Sequence, residues 1–296
     1  MVTSTIACAS ARTFLRPSVP TVHNRYRGPG DVRSMARALC SPAGLHRRPW
    51  LSRLRRALDE DLFVLHYQPI VSLRDGRVSH YEALVRLDDE RDGRLVAPGR
   101  FLPAAERYGL VRDVDRMVID KVAALLGGMQ GEPDVSIAVN VSALTVTDGG
   151  MLAHIRRALE LHGADPARLV VELTETAAIS DMERATAFCA GVQALGCAIS
   201  LDDFGAGFGS FQYLKRLPFR YLKIDGDFIR GLPGSPTDQL VVKALVGVVE
   251  GMGGQTIAEF VGDEATMRML RSYGVDYAQG FEVGRPDPVV PLMAGG

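Results

Sequence analysis

The chain has little of what builds a zinc site or a disulfide scaffold. Its 296 residues include 4 Cys and 6 His. Cys8, Cys40, Cys189 and Cys197 show no metal-ligand spacing, which points to a reducing, cytoplasmic setting. Long apolar runs are also missing. The longest, around Leu240 to Val249, is interrupted by Lys243 and is too short to span a bilayer. An excess of one charge is absent too: 34 basic against 35 acidic side chains leave a net charge of -1, with no general attraction to nucleic acid or anionic membranes. There is no internal repeat.

What is present divides into two parts. Residues 1 to 50 hold Arg12, Arg16, Arg25, Arg27, Arg33, Arg37, Arg47 and Arg48 against the single acid Asp31. This basic leader (1–48) lacks the apolar core of a secretory signal. It is expected to be a disordered extension or the remnant of an upstream module or linker, rather than a targeting segment. No cyclase module or complete sensory domain is visible there. The remainder, 49–296, is acidic, and the whole chain's 47% hydrophobic and 23% charged composition is that of a globular protein.

From Leu51 onward, short apolar runs alternate with stretches of helical period, the pattern of an α/β fold. Expected strands are Leu62 to Val71, Val78 to Leu87, Val135 to Val141, Leu169 to Leu173, Ala198 to Leu201, Tyr221 to Ile224, Gln255 to Ala258 and Asp276 to Gln279. Expected helices are Val114 to Leu126, Met151 to His162, Met182 to Leu195, Thr237 to Gly251 and Glu264 to Tyr273. The first two strands are joined by a short Asp75-Gly76 connection, a hairpin signal, so they pair antiparallel. Eight strands then suggest a TIM-like (β/α) barrel with its first strand antiparallel to the others.

In such barrels chemistry sits where the strands end. Polar residues closing the apolar runs are Glu82, Asn140, Glu172 with Glu175, Asp202 with Asp203, Lys223 with Asp225, Glu259 and Gln279. Any one of them alone reads as a solvated rim residue, and Asp202-Asp203 alone as an ordinary turn. Adjacent carboxylates at the mouth of a buried strand are costly unless they pair, coordinate a cation or take up protons. Contributions from successive strands make convergence at one mouth the stronger reading.

Eight ordered motifs over roughly residues 51 to 288 resemble the EAL-domain family, bacterial phosphodiesterases acting on cyclic di-GMP. They are Tyr67-Gln68-Pro69-Ile70, Glu82-Ala83-Leu84-Val85-Arg86, Asn140-Val141-Ser142, Glu172-Leu173-Thr174-Glu175, Asp202-Asp203-Phe204-Gly205-Ala206-Gly207, Leu222-Lys223-Ile224-Asp225-Gly226, Ala258-Glu259 and Gln279-Gly280-Phe281. The resemblance implies hydrolysis of cyclic di-GMP to linear 5′-pGpG with two Mg²⁺ or Mn²⁺ ions. Glu82, Asn140, Glu172 and Asp202 would hold one, and Asp202, Asp203 and Glu259 the other. Oxygen and amide donors suit those hard cations. Lys223 would act beside the attacking water, and Gln68, Arg86 and Gln279 would face the substrate. Glu175 would anchor the glycine-bearing loop, and the chain would form a homodimer. Physical alternatives remain at single positions: a surface lysine at 223, a surface ion pair for Arg86, a turn-capping role for Gln68.

Two positions depart from the family pattern. Gly262 stands where a second glutamate commonly follows the one at Glu259, and Arg220 stands where an acid is frequent, with an expected effect on a dimer-facing or substrate-facing surface. Asp263 and Glu264 adjoin the gap but would point elsewhere. The alternative function is therefore a catalytically weak or inactive domain, a cyclic di-GMP receptor or protein-interaction module. Nucleic-acid binding by the leader has no aromatic interleaving or recognised motif to support it.

Overall fold

The computed structural model describes residues 48–89, 94–129, 135–205 and 214–290. The expectation for the leader therefore falls outside the described residues, apart from position 48, which opens the first helix. Nine strands form one sheet: β1 Phe63–Ser72, β2 Val78–Asp89, β3 Arg94–Val96, β4 Ser136–Val141, β5 Leu169–Thr174, β6 Ala198–Phe204, β7 Tyr221–Ile224, β8 Gln255–Ala258 and β9 Tyr277–Gln279. The ring runs β1-β9-β8-β7-β6-β5-β4-β2 and closes through a β1–β2 pairing, with β3 added outside the ring on β2. β1 is antiparallel to both its neighbours, whereas β2 and β4 to β9 are parallel. The expected barrel with a reversed first strand is what the chain forms.

The reversal begins at the β1–β2 turn. Gly76 takes φ 73°, a conformation that costs glycine nothing, and the Asp75 carboxylate accepts the Arg77 N–H at 3.1 Å. A short turn leaves no length for a crossover, so β2 must lie back along β1.

Helices α1 Arg48–Asp59, α2 Pro98–Arg107, α3 Val111–Gly128, α4 Met151–His162, α5 Met182–Ala194, α6 Pro236–Gly251 and α7 Glu264–Ser272 occupy the connections and the flank ahead of β1. On α3, Val111, Val114, Val118, Ile119, Val122 and Leu126 are buried, a spacing of three and four that lays one face on the sheet. Asp181, Ser235 and Asp263 accept backbone N–H groups at the starts of α5, α6 and α7, each cap contributing about 1 kcal/mol.

Three elements were not expected. α1 is an amphipathic Arg-rich helix continuous in composition with the leader, and α2 contains Pro103, which weakens its helical signal. β3 is three residues long. A fourth difference is that β6 does not stop at Leu201 but runs on through Asp202 and Asp203 to Phe204.

The lower half of the barrel interior is filled by Ile70, Ala138, Val170, Tyr221 and Ile257, with Ala198 and Tyr277 packed against them. The rings of His80, Tyr221 and Tyr277 meet edge to face at 4.7, 4.9 and 5.9 Å between centroids. Burial pulls the His80 imidazole down to about 4, with Arg220 adding to the effect, so the ring in this plug is neutral at pH 7.

Candidate active site

Side chains two residues apart on a strand share a face, so each strand that contributes to the plug presents its next inward residue one layer higher. His80 is followed by Glu82, Ala138 by Asn140, Val170 by Glu172, Tyr221 by Lys223, Ile257 by Glu259 and Tyr277 by Gln279. Cross-strand register aligns the upper layer: Gln68 lies opposite Glu82 and Asn140 opposite Glu172.

Asp202 and Asp203 arrive there by a local irregularity. Between β6 and β7, Leu201 pairs with Leu222 and Phe204 with Ile224, so Asp202 and Asp203 together oppose the single residue Lys223. This is a β-bulge, which re-aims side chains at a strand end. Asp203 takes φ 55°, a left-handed conformation that aspartate tolerates better than most residues. Carboxylate oxygens of Asp202, Asp203 and Glu259 all lie within 4.8 Å of one another as a result.

Lys223 is 1% exposed, which the surface-lysine alternative did not anticipate. Its Nζ lies 2.8 Å from Glu259, 3.1 Å from Asp202, 3.2 Å from Glu172 and 3.4 Å from Glu82. Burial by itself pulls the ammonium down, but Asp202, Glu172, Glu259 and Glu82 outweigh it and hold the group well above its ordinary value. One ammonium cannot balance all of these acids. Burial raises Glu259 to about 8, Lys223 only partly opposing it, and burial with the neighbouring Asp202 and Asp225 charges raises Asp203.

Glu82 and Glu172 respond in opposite directions, and their donors explain why. Glu82 accepts from Asn140 Nδ2 at 2.6 Å, Gln279 Nε2 at 2.6 Å and Lys223; despite burial, these donors hold it below its ordinary value. Among the described residues Glu172 receives only Lys223, and its Oε1 is buried with no hydrogen-bond partner. Its carboxyl is raised well above the ordinary range, first by burial and then by Glu82, Asp202 and Glu259 against the pull of Lys223. An orphaned buried carboxylate oxygen in an all-oxygen donor set fits a hard divalent cation.

A cleft of about 340 Å³ opens over this cluster, lined by Gln68, Glu82, Asp202, Asp203, Lys223, Glu259, Phe260, Gly262, Gln279 and Phe281, among others. Gln279 Nε2 also lies 3.4 Å from Gln68 Oε1, and Gln68 Nε2 donates to the Gly284 carbonyl. Arg86 is on the same face of β2 as Glu82 but two steps above it. Its guanidinium donates to the Val85 carbonyl and does not line the cleft. Glu175 is buried and accepts the Gly205 N–H at 3.1 Å; the glycine-bearing stretch 206–213 falls outside the described residues.

Of the two departures, Gly262 lines the cleft, and a Cβ there would meet nothing nearer than the Phe260 carbonyl oxygen at 4.0 Å. Asp263 is committed to capping α7 and Glu264 to an ion pair with Arg268, so neither fills the gap. Arg220 does not line the cleft. It sits ahead of β7 at the opposite end of the barrel, exposed, with its guanidinium 5.3 Å from the Tyr221 ring.

The cleft walls include two aromatics that the pattern of strand-end polar residues does not reveal. Phe260 (54% exposed, φ 52°) carries the Arg230 guanidinium at 4.1 Å, and Phe281 (64% exposed) carries Arg285 at 4.2 Å. Behind them, Gly280 lets the two walls touch: a Cβ there would sit 2.1 Å from the Val261 carbonyl oxygen, and Val261 N–H donates to Gln279.

Fold and site together define a (β/α) barrel with one reversed strand, whose mouth gathers carboxylates around a buried lysine. The family model "EAL domain" matches residues 51–286, and the chain belongs to that family. It is 39% identical over 248 residues to the bifunctional diguanylate cyclase/cyclic di-GMP phosphodiesterase MucR of Pseudomonas aeruginosa, covering 82% of this chain and 36% of the relative. It is 36% identical over 242 residues to the cyclic di-GMP phosphodiesterase PdeB of Shewanella oneidensis, covering 81% and 28%. The chain thus spans about a third of the length of these curated relatives. A solved structure of the MucR phosphodiesterase in complex with c-di-GMP superposes with TM-score 0.78 at 38% identity, covering 82% of this chain and 99% of that one.

Proposed function

We propose that this chain is a phosphodiesterase that hydrolyses cyclic di-GMP to linear 5′-pGpG with two Mg²⁺ or Mn²⁺ ions. The observation that carries the reading is the excess of buried carboxylate over positive charge at the mouth, with Glu172 Oε1 left unpartnered. The activities named for MucR and PdeB support the same substrate.

Glu82, Asn140, Glu172 and Asp202 would hold one cation, and Asp202, Asp203 and Glu259 the other. Bound there, such ions lower the pKa of a water and stabilise charge on attacking and leaving oxygens. The chain's own groups do the rest. Lys223 keeps positive charge beneath the phosphate, where the desolvated surroundings strengthen it. Gln279 and Gln68 form one wall for the substrate, Arg86 is available to a phosphate beyond Leu84, and Glu175 holds the loop after Asp203 through the Gly205 N–H. The reaction breaks one P–O3′ bond, places the water oxygen on phosphorus and leaves a 3′-hydroxyl. The domain, 49–296, acts as a homodimer in the cytoplasm. Among the described residues no helix is long and apolar enough to cross a membrane.

A second reading, a cyclic di-GMP receptor with weak turnover, is favoured by the unfilled gap at Gly262. Chromatography of the full chain incubated with cyclic di-GMP and Mn²⁺ separates the two. Linear dinucleotide that forms with Mn²⁺ and disappears with chelator supports the enzyme; intact nucleotide retained by the protein supports the receptor.

A further inference from the structure

Asn140 stands at the exposed rim of β4, and its amide reaches Glu82 at 2.6 Å. The ladder with β5 holds β4 as far as Val141. Beyond it, helix α3 grips the chain from behind. The Asp115 carboxylate, 7% exposed, accepts the Ser142 N–H at 2.9 Å and the Thr145 hydroxyl at 2.5 Å. Ser142 Oγ in turn accepts the Thr145 N–H at 3.3 Å and caps the helical turn Ala143–Val146. Three residues before Asp115, Arg112 Nε donates to the Leu144 carbonyl at 3.1 Å, and directly after it Arg116 pairs with Asp148. Three α3 side chains spaced i, i+3, i+4 therefore grip one seven-residue stretch, 142–148, that begins two residues after Asn140.

We infer that Asp115 is a positioning residue for the cation site: through Ser142 and Thr145 it fixes the exit of β4, and so the place of the Asn140 amide against Glu82. The inference rests on the proposed function. Asp115 touches neither substrate nor the carboxylate cluster, and acts only through the strap. Both donors converge on one carboxylate oxygen, Oδ2, so removing the carboxyl releases the Ser142 N–H and the Thr145 hydroxyl together. Groups that orient a metal ligand in this way typically set metal affinity by 10- to 100-fold.

The test is Mn²⁺ binding to the full chain without substrate, read from the EPR signal of free Mn²⁺, in the parent and in Asp115→Ala, which removes the accepting oxygen. The expected result is a dissociation constant raised about 10- to 100-fold, with kcat at saturating Mn²⁺ within about threefold of the parent and KM unchanged. A role confined to stability lowers Tm and leaves the Mn²⁺ constant where it was, and that outcome in a folded variant overturns the inference. Should Asp115→Ala not fold, Thr145→Val decides: it removes one hydroxyl at nearly constant shape, and an unchanged Mn²⁺ constant overturns the inference equally. A parent chain that binds no Mn²⁺ defeats the cation reading itself and this inference with it.

Discussion

Two layers of the same barrel interior, separated by a single inward step along each strand, solve burial in opposite ways. In the lower layer Ile70, Ala138, Val170, Tyr221 and Ile257 pack as an apolar plug, with His80 kept neutral between tyrosine edges. In the upper layer Glu82, Glu172, Asp202 and Glu259 crowd around one ammonium, and at least one oxygen is left unpartnered. His80 Nδ1 in the plug also lacks a hydrogen-bond partner among the described residues, but it is a neutral ring nitrogen, whereas the mouth gathers several carboxylates on one ammonium. The plug is a small apolar layer beside the larger core that includes Phe63, Phe101, Ile119 and Ile137, and the layer above it carries the charged groups on which the proposed chemistry rests.

The comparison is broken most directly at Glu82. Glu82→Ala is expected to lower cyclic di-GMP turnover by about 10³-fold or more while the circular dichroism spectrum is kept, because one residue serves the proposed cation, Gln279 and Asn140 together. Unimpaired turnover would remove Glu82 from the chemistry. The reciprocal change in the plug, Tyr221→Ala, is expected to cost about 3–5 kcal/mol of stability by analogy with other buried aromatics. Thermal unfolding at saturating Mn²⁺ checks it, with kcat below the transition staying within about threefold. A collapse of kcat in folded Tyr221→Ala would show that the layers are not separable.

A pH experiment sharpens the contrast. The Glu259 carboxyl is pushed up to about 8 in the folded chain from an ordinary value of 4.5. Its contribution to stability is then fully present below 4.5 and is lost as pH rises through about 8. In chelator, Tm of the parent should fall across that window, and Glu259→Gln should flatten the fall. An identical slope in the variant would contradict the burial argument. A smaller effect is expected from filling the gap beside it. Gly262→Glu has room for its Cβ and should tighten Mn²⁺ binding by a few-fold, on the order of 1 kcal/mol; weaker binding would show that the gap matters to the loop rather than to the cations. Smallest of all, Arg220→Ala at the barrel's far end should leave kcat/KM within about twofold, and a larger loss would return Arg220 to the substrate side.

Much of this arrangement was legible in the sequence because it is periodic. Apolar runs closed by an acid or amide located Glu82, Asn140, Glu172, Glu259 and Gln279 on one face, and Asp75-Gly76 disclosed the reversed strand. What stayed hidden was not periodic. The bulge at Asp202-Asp203 exists only in the pairing of β6 with β7, and a run that seemed to end at Leu201 in fact continues to Phe204. The depth of Lys223 could not be read from a four-residue strand whose burial comes from its neighbours. Phe260 and Phe281 follow strand-end positions in loops whose backbone departs from any repeat; the left-handed φ of Phe260 has no local signal.

The reversed strand has one more consequence. Phe63, where β1 begins, pairs with Leu87 near the upper end of β2, and the Leu62 carbonyl accepts the Asp88 N–H. The polypeptide therefore enters its barrel from the catalytic side rather than from the base, with α1 as the threshold. Any force transmitted along the backbone through that helix is delivered at the rim, beside the strand that carries Glu82, and need not cross the rigid aromatic floor to be felt there.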